Sequence, residues 1–559
     1  MKYTIKFLSV LTATLYSMTA VPFNAFAVPL IPCESEIKSI APLRCSLSMP
    51  VFGAGEDGEL SVTTNYTAVS QSIDLYGQSA NLPSAFDLRE SGKVSYVKDQ
   101  SIYGTCWAHA SVASAEMSLS KYIPDIDLSE MHTAYFPYGH DADQIIFDGT
   151  FSELMEDKGG NVKLVTNLWS QWIGPVKEEK FPYMIYDEQF VPDPSIKYDA
   201  DYHLENSYLL NYDDDRTNFS EINSLLKQYI YDGMAVDMIF YSDQETGTCY
   251  NAQYNSSNSN KPRRLSNHAV TVVGWDDNFP ASNFTVKPQN DGAWLVRNSW
   301  GYNHNNEGYM WISYEDRSLG EFGVFQLDSG ENYDTKYMHD TYVPTQNISA
   351  NDDPSVSEPS YMANVFDCTE DFNAEAISTY ILNPDTEYEV TLYTNLTDPL
   401  NPMSGTPSAV TSGKRSVTGF TTIELDQSVH ISAGEKYSVV VKMYCPESQF
   451  VIPVESSLLL TNYDRGKYIN LIEYSKDEQI KNNTGAGESF YSADCEKWED
   501  TKDITYTYSE DEKNAVLDGL KKTLYKDIDP DDTESLKDAD TRYTTFESKF
   551  EGSILSSRL

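Results

Sequence analysis

Residues 100–107 read Gln-Ser-Ile-Tyr-Gly-Thr-Cys-Trp, a short run that holds an amide able to donate to an oxyanion, a turn-forming glycine and a thiol. Cys106 is the first place to look for chemistry, because a thiolate is a strong nucleophile. The run after it, Ala108 to Leu119, is rich in Ala, Ser, Glu and Met and predicts a helix whose first turn carries the thiol. A thiolate there sits at the positive end of the helix dipole. A Gly-x-Cys-Trp run taken alone fits a buried structural thiol equally well, so a base and an orienting partner are needed. Among the eight histidines, His268 follows Asn267 and opens the apolar run His268-Ala269-Val270-Thr271-Val272-Val273-Gly274-Trp275. The next apolar run ends in Arg297-Asn298-Ser299-Trp300-Gly301. There the Asn298 amide can accept the ring N–H and the Trp300 indole can shield that bond from water.

Elements must bring these residues together. Between Val162 and Ile173 the apolar Leu164, Val165, Leu168, Trp169 and Trp172 recur at near-helical spacing, whereas Ala269 to Trp275 and Ala293 to Arg297 read as strands. Helices first and strands later predict an α+β domain with two unlike halves. Its start is marked by Leu82-Pro83-Ser84-Ala85-Phe86-Asp87-Leu88-Arg89, where regular patterning begins. After about Gly330 short alternating segments take over, such as Glu387 to Tyr393, Gly419 to Leu425 and Lys436 to Met443, separated by turn residues. That pattern predicts an antiparallel β-sandwich.

The expected organisation is a signal peptide at 1–27, a pro-segment or linker at 28–80, the α+β domain at 81–330, the sandwich at 331–505 and an acidic C-terminal extension at 506–559. The signal rests on Lys2 and Lys6, the apolar run Phe7 to Phe23, and Ala25-Phe26-Ala27 at the cleavage positions. That run is short for a membrane span and is not repeated, so a secreted or cell-surface protein without a stable membrane anchor is expected. Near the C-terminus a helix is expected at Glu510 to Leu524. The aspartates at 527–532 resemble half a calcium loop, but Asp532 stands where glycine is needed, so the segment reads as a solvated tail. No metal and no cofactor is expected.

Lys and Arg number 40 against 85 Asp and Glu, a formal charge of −45, which excludes nucleic acid as a partner. Of the seven cysteines (33, 45, 106, 249, 368, 445 and 495) none lies in a Cys-x-x-Cys pair, so neither a zinc ribbon nor a thioredoxin-type site is indicated. If Cys106 stays a thiol, six remain, enough for up to three disulfides.

Taken in order, these motifs resemble the papain-like cysteine peptidases. Gln100 matches the family's oxyanion glutamine, Cys106 with Trp107 its nucleophile, His268 its base and Asn298 its orienting residue. Leu82-Pro83 with Asp87 to Arg89, Leu128-Ser129-Glu130, Gly159-Gly160-Asn161, Asn298-Ser299-Trp300-Gly301 and Gly308-Tyr309 follow in the family's order. The resemblance implies a two-lobed catalytic domain, a helical lobe beside an antiparallel β lobe. It also implies that Trp300 covers the His268–Asn298 bond and that Gly160 pairs through its backbone with extended substrate. Ala269, with Met234 or Val236, would line an apolar specificity pocket. The chain departs from the family at Tyr103, where a disulfide cysteine is usual, so the loop before Cys106 is expected to be held by packing alone. Thr105 replaces a Ser or Ala. His109 replaces an aromatic and reads as a core histidine. Insertions within Asp243 to Arg264 and Asp276 to Asp291 are expected to be surface loops.

Residues 331–505 resemble the lectin-like β-sandwich that follows some bacterial papain-like enzymes, with Gly487-Glu488-Ser489-Phe490-Tyr491 and Trp498 as its last strands. The implied protein is a secreted, monomeric cysteine endopeptidase acting on protein or peptide substrates, with glycans as partners of the sandwich. Two rivals remain. One is an exported adhesin or carbohydrate-binding protein with a weak or inactive peptidase domain. The other is a Cys/His amidase acting on cell-wall peptide, which would share the dyad but need neither Gln100 nor the Asn298-Ser299-Trp300 run.

Overall fold

The computed structural model describes residues 82–506, with breaks chiefly at 146–150, 340–345, 352–357 and 460–478, and a few positions outside that range. The expected signal peptide, pro-segment and C-terminal extension, with its helix at 510–524, lie outside the described residues but for those few positions. The chain divides into two compact units, Val51–Asp334 with Ser416–Thr422, and Met1–Pro50 with Thr335–Arg415 and Ile423–Leu559.

In the first unit the elements run β1 (Ala85–Asp87), α1 (Cys106–Leu119), α2 (Glu130–Tyr135), α3 (Val162–Ser170), β2 (Leu204–Leu210), α4 (Phe219–Tyr231), β3 (Val236–Phe240), β4 (His268–Asp276), β5 (Ala293–Arg297), β6 (Tyr309–Ser313) and β7 (Gly320–Leu327). Helices come first and strands later, as the patterning predicts. The sheet order is β2-β7-β3-β4-β5-β6, neighbours antiparallel, with β1 paired to the end of β4. Strands β3, β4 and β5 are buried on both faces, which is why they read as near-continuous apolar runs. One face packs on α4 through Ile222, Leu226, Tyr229 and Ile230 with Val236, Met238, Val270 and Val272. On the other, Ala235, Val273 and Leu295 meet Met117 of α1 and Leu88.

Every residue of α1 after Cys106 is buried, so this helix is solvent-shielded all round. Its Ala and Ser side chains let it lie close to the sheet. Ser114 Oγ donates to Ala235 O at 2.7 Å and accepts from Phe325 N at 3.3 Å, and Ser118 Oγ accepts from Leu327 N at 3.2 Å. The caps follow ordinary rules. Ser129 Oγ accepts from His132 N at 3.0 Å at the start of α2, and Asn161 Oδ1 accepts from Leu164 N at 3.0 Å at the start of α3.

Two expectations change here. The segment between β3 and β4 is only partly a surface loop, because Ser256, Ser257, Asn258 and Ser259 are buried and Ser256–Ser257 pairs in parallel with Trp311 and Ile312 of β6. Small polar side chains fit under that edge, and their polar groups find partners: Ser256 Oγ donates to Asn283 O at 2.7 Å and Ser259 N to Asp316 Oδ2 at 2.7 Å. Disulfides are also absent among the described residues, where Cys106, Cys249, Cys368, Cys445 and Cys495 are all free thiols.

The second unit is built on a six-stranded antiparallel sheet. Its strands are β8 (Ser360–Asp367), β9 (Thr386–Thr394), β10 (Thr406–Arg415), β11 (Lys436–Tyr444), β12 (Ser489–Ser492) and β13 (Glu499–Asp500), in the order β10-β9-β11-β8-β12-β13. Alternate residues Tyr388, Val390 and Leu392 of β9 and Tyr437, Val439, Val441 and Met443 of β11 point into one core. They meet Ala374 and Ile381, Ile423 and Ile431, and Ile348 with Ile452 from strands outside that sheet, which makes the unit a sandwich.

Candidate active site

Cys106 is the first residue of α1, and the capping residue Thr105 makes no side-chain hydrogen bond to the helix. Burial pushes the thiol up to about 11, opposed by N–H groups of Ala269, Trp107 and Cys106 itself, with Asp237 adding to the upward push. Ala269 is the residue after His268, so the sulfur lies beside the opening of β4.

His268 is buried where β4 begins, opposite Phe240 of β3. Its Nε2 is 2.8 Å from Asn298 Oδ1, and the same Oδ1 accepts from Ser299 N at 2.8 Å. A backbone N–H can only donate, so that atom is the amide oxygen, and His268 must donate to it through Nε2–H. The tautomer is thereby set, and Nδ1 keeps the lone pair of a base. The Trp300 indole stacks on the imidazole at 4.7 Å between centroids and 23° between planes. Burial pushes His268 down to about 4, against the Asn298 bond. Burial thus disfavours a lone charge on either group.

Gln100 is tied down at three points: its N donates to Ser299 O at 2.8 Å, its Oε1 accepts from Ser299 Oγ at 2.6 Å, and its Nε2 donates to Tyr103 O at 2.8 Å. An amide nitrogen has two hydrogens, so one remains for a ligand.

The loop before Cys106 is held by more than packing. Tyr103 is 1% exposed, its hydroxyl accepts from Tyr186 N at 3.0 Å, and its ring packs edge-on against Phe151 and Tyr183. Tyr183 OH in turn donates to Gln100 O at 2.9 Å and bonds Thr105 Oγ1 at 2.5 Å, while Gly104 N donates to Met155 O at 2.8 Å. Tyr183 and Ser299 Oγ were not singled out from the sequence. The run Phe181-Pro182-Tyr183 was the available signal. His109 is a core histidine as expected: it is 3% exposed, bonds Thr105 O through Nδ1 at 3.0 Å, and is pushed down by burial to about 3.

Behind the site, buried Lys98 Nζ contacts Asp127 at 2.7 Å, Glu130 at 2.8 Å and Glu116 at 3.0 Å, and Arg297 Nη1 bonds Ser95 Oγ at 2.8 Å beside Glu116. Lys98 precedes Gln100, Glu116 lies on the Cys106 helix and Arg297 precedes Asn298. One buried charge cluster therefore joins the three segments that carry the site.

The sequence-derived binding residues fare unequally. Gly160 is buried, and a Cβ built on it would fall inside the Trp107 indole, so packing alone requires glycine there. Ala269 is buried on β4, with Ile239 of β3 directly opposite. Met234 and Val236 are not brought to it: Val236 pairs with Val272, and Met234 precedes β3 at its far end and packs into the core beneath α4. The antiparallel register joins the start of β4 to the end of β3, which makes Ile239 the neighbour.

With this geometry in view, residues 82–324 match the family described as papain family cysteine protease, and residues 337–517 match the lectin like domain. A cysteine protease of Blomia tropicalis is 26% identical over 256 residues, covering 44% of this chain and 65% of that relative. The chain thus spans just under two thirds of that relative's length. The crystal structure of the cysteine protease and lectin-like domains of Cwp84, a surface layer associated protein of Clostridium difficile, is similar with a TM-score of 0.59 at 20% identity, covering 84% of this chain and 96% of that one. Cwp84 after propeptide cleavage gives a TM-score of 0.55 at 22% identity over 77% of this chain and 96% of that one. At these identities the likeness to Cwp84 concerns the fold. Among the described residues no helix is long and apolar enough to cross a membrane.

Proposed function

We propose that this chain, which carries a papain-family cysteine protease domain followed by a lectin-like domain, is a secreted or cell-surface cysteine endopeptidase that hydrolyses peptide bonds through Cys106, His268, Asn298 and Gln100. The observation that carries the reading is the fixed tautomer of His268. With Nε2–H committed to Asn298 Oδ1, Nδ1 is the atom left to take a proton.

The reaction follows from that. Burial disfavours each charge alone, so thiolate and imidazolium form together when the Cys106 proton passes to His268 Nδ1. The thiolate attacks the peptide carbonyl. The resulting oxyanion is met by the Cys106 N–H and the free hydrogen of Gln100 Nε2, donors already oriented before substrate arrives. His268 then protonates the leaving amine, and afterwards activates the water that hydrolyses the acyl-enzyme. Asn298 holds the ring through both proton transfers, and Trp300 keeps water from its bond.

Substrates are extended protein or peptide segments lying along Gly160, with an apolar side chain directed toward Ala269. Residues 337–517 are proposed to bind glycans and so to hold the peptidase at a carbohydrate surface, by analogy of domain type. Secretion rests on the sequence of residues 1–27. The Cys106→Ala protein tests the reading: loss of cleavage of an unfolded protein is expected, and retained cleavage would sink it.

A further inference from the structure

Asp237 interrupts an otherwise apolar strand, Val236-Asp237-Met238-Ile239-Phe240. It lies opposite Thr271 of β4 and Gly323 of β7, and alternation places it on the same face as Ile239, the face turned toward α1. There Ser111, in the turn after Cys106, donates to Asp237 Oδ2 at 2.5 Å. One residue earlier on the helix, Ala110 O accepts from Thr271 Oγ1 at 3.3 Å. These two bonds join the N-terminal half of α1 to the strand pair β3-β4, and β4 opens with His268. The distance between the thiol-bearing turn and the imidazole-bearing strand is thus set beside Asp237.

Among the described residues no cation is paired with this carboxyl. Asp237 is 1% exposed. From α1 it faces the Cys106 thiol and the Ser111 hydroxyl, from β7 the acid Glu321, and from β4 the untitratable Thr271. An ionised carboxylate buried without a cation is strongly disfavoured. Burial, opposed by the Ser111 bond and reinforced by Glu321, holds Asp237 well above the usual carboxylate range. A negative charge at Asp237 would also oppose one at Cys106.

We infer that Asp237 is a positioning residue for the thiol. As a neutral acid it accepts the Ser111 hydrogen bond that seats α1 on β3-β4, and by keeping its proton it leaves the site free to place negative charge on Cys106. The inference rests on Cys106 being the nucleophile.

The test uses the full chain and two readouts, the rate of Cys106 alkylation by iodoacetamide against pH and the steady-state constants for peptide cleavage. Asp237→Asn keeps the acceptor and cannot ionise. Because Asp237 keeps its proton, the Asp237→Asn alkylation curve should superimpose on that of the native protein. Ser111→Ala and Asp237→Leu each remove the bond, and each should lower kcat about tenfold, the scale of one hydrogen bond, with KM within about twofold. The double variant should lose no more than either alone. If Asp237→Leu does not fold, the cycle is run with Asp237→Asn and Ser111→Ala, where Asp237→Asn should remain sensitive to loss of the hydroxyl. A native curve broadened or displaced relative to that of Asp237→Asn, or additive losses in the Leu cycle, would overturn the inference. Retained cleavage by Cys106→Ala would instead overturn the nucleophile assignment, so the two failures are distinct.

Discussion

The Oδ1 atom of Asn298 accepts from both His268 Nε2 and Ser299 N, and that double acceptance underlies the orienting role proposed for this asparagine. Replacing it by Ala frees the imidazole to rotate and to change tautomer. We expect kcat to fall by roughly ten- to a hundredfold with little change in KM, because the lost interaction orients a base and does not bind substrate. Gln100→Ala removes an oxyanion donor, and a loss of about a hundredfold or more in kcat is expected. Steady-state kinetics on a folded variant, checked by circular dichroism, reads both; a loss confined to KM would contradict the assigned roles. At this scale the proposed catalytic residues Cys106, His268, Asn298 and Gln100 could be picked out from the sequence, since each is the residue type its chemistry requires beside a recognisable turn or strand. Tyr183 and the Ser299 hydroxyl were not, because their partners Gln100 and Thr105 are remote in the chain and a tyrosine or serine has too many ordinary uses to stand out.

Helix α1 is the element on which the site depends, and its neighbours are fitted to it closely. Trp107 fills the space beside Gly160, so Gly160→Ala should destabilise the fold by about 1–3 kcal/mol, the usual range for overpacking. A thermal melt reads this; an unchanged melting temperature with raised KM would assign the glycine to substrate approach alone. Three buried histidines add a pH dependence. Burial pushes His109 down to about 3 and His132 and His268 to about 4. A histidine depressed below its unfolded value of about 6.5 contributes stability above that pH and loses it as pH falls through the folded value. As pH falls from about 6.5 to 4 the melting temperature of His109→Phe should therefore rise relative to that of the native protein, and a constant difference between the two would contradict this. The helix at Cys106–Leu119 and the strands β4 and β5 were readable from periodicity. The pairing register was not, because the partner of Ala269 depends on how β3 and β4 align, and an apolar strand offers several registers of similar pattern.

At the scale of the whole molecule, the change of texture near Gly330 and the alternation after it anticipated the sandwich, since a sheet with one face on a core writes period two into its strands. Less readable was the burial of Ser256 to Ser259, whose polar composition suggests a surface loop until their partners are seen. The proposed glycan role belongs to this scale. Full-length Cys106→Ala protein applied to a glycan array should be retained on a subset of sugars, and no retention on any would count against that role. The peptidase assignment is tested most directly by treating the native protein with an epoxide thiol reagent and locating the adduct by peptide mass mapping. Five free thiols compete among the described residues, and of these Cys106 lies at the opening of β4, where His268 stands. The account predicts one adduct, on Cys106, formed in step with loss of cleavage and abolished by His268→Ala. An adduct on another cysteine, or full cleavage by protein labelled at Cys106, would contradict it.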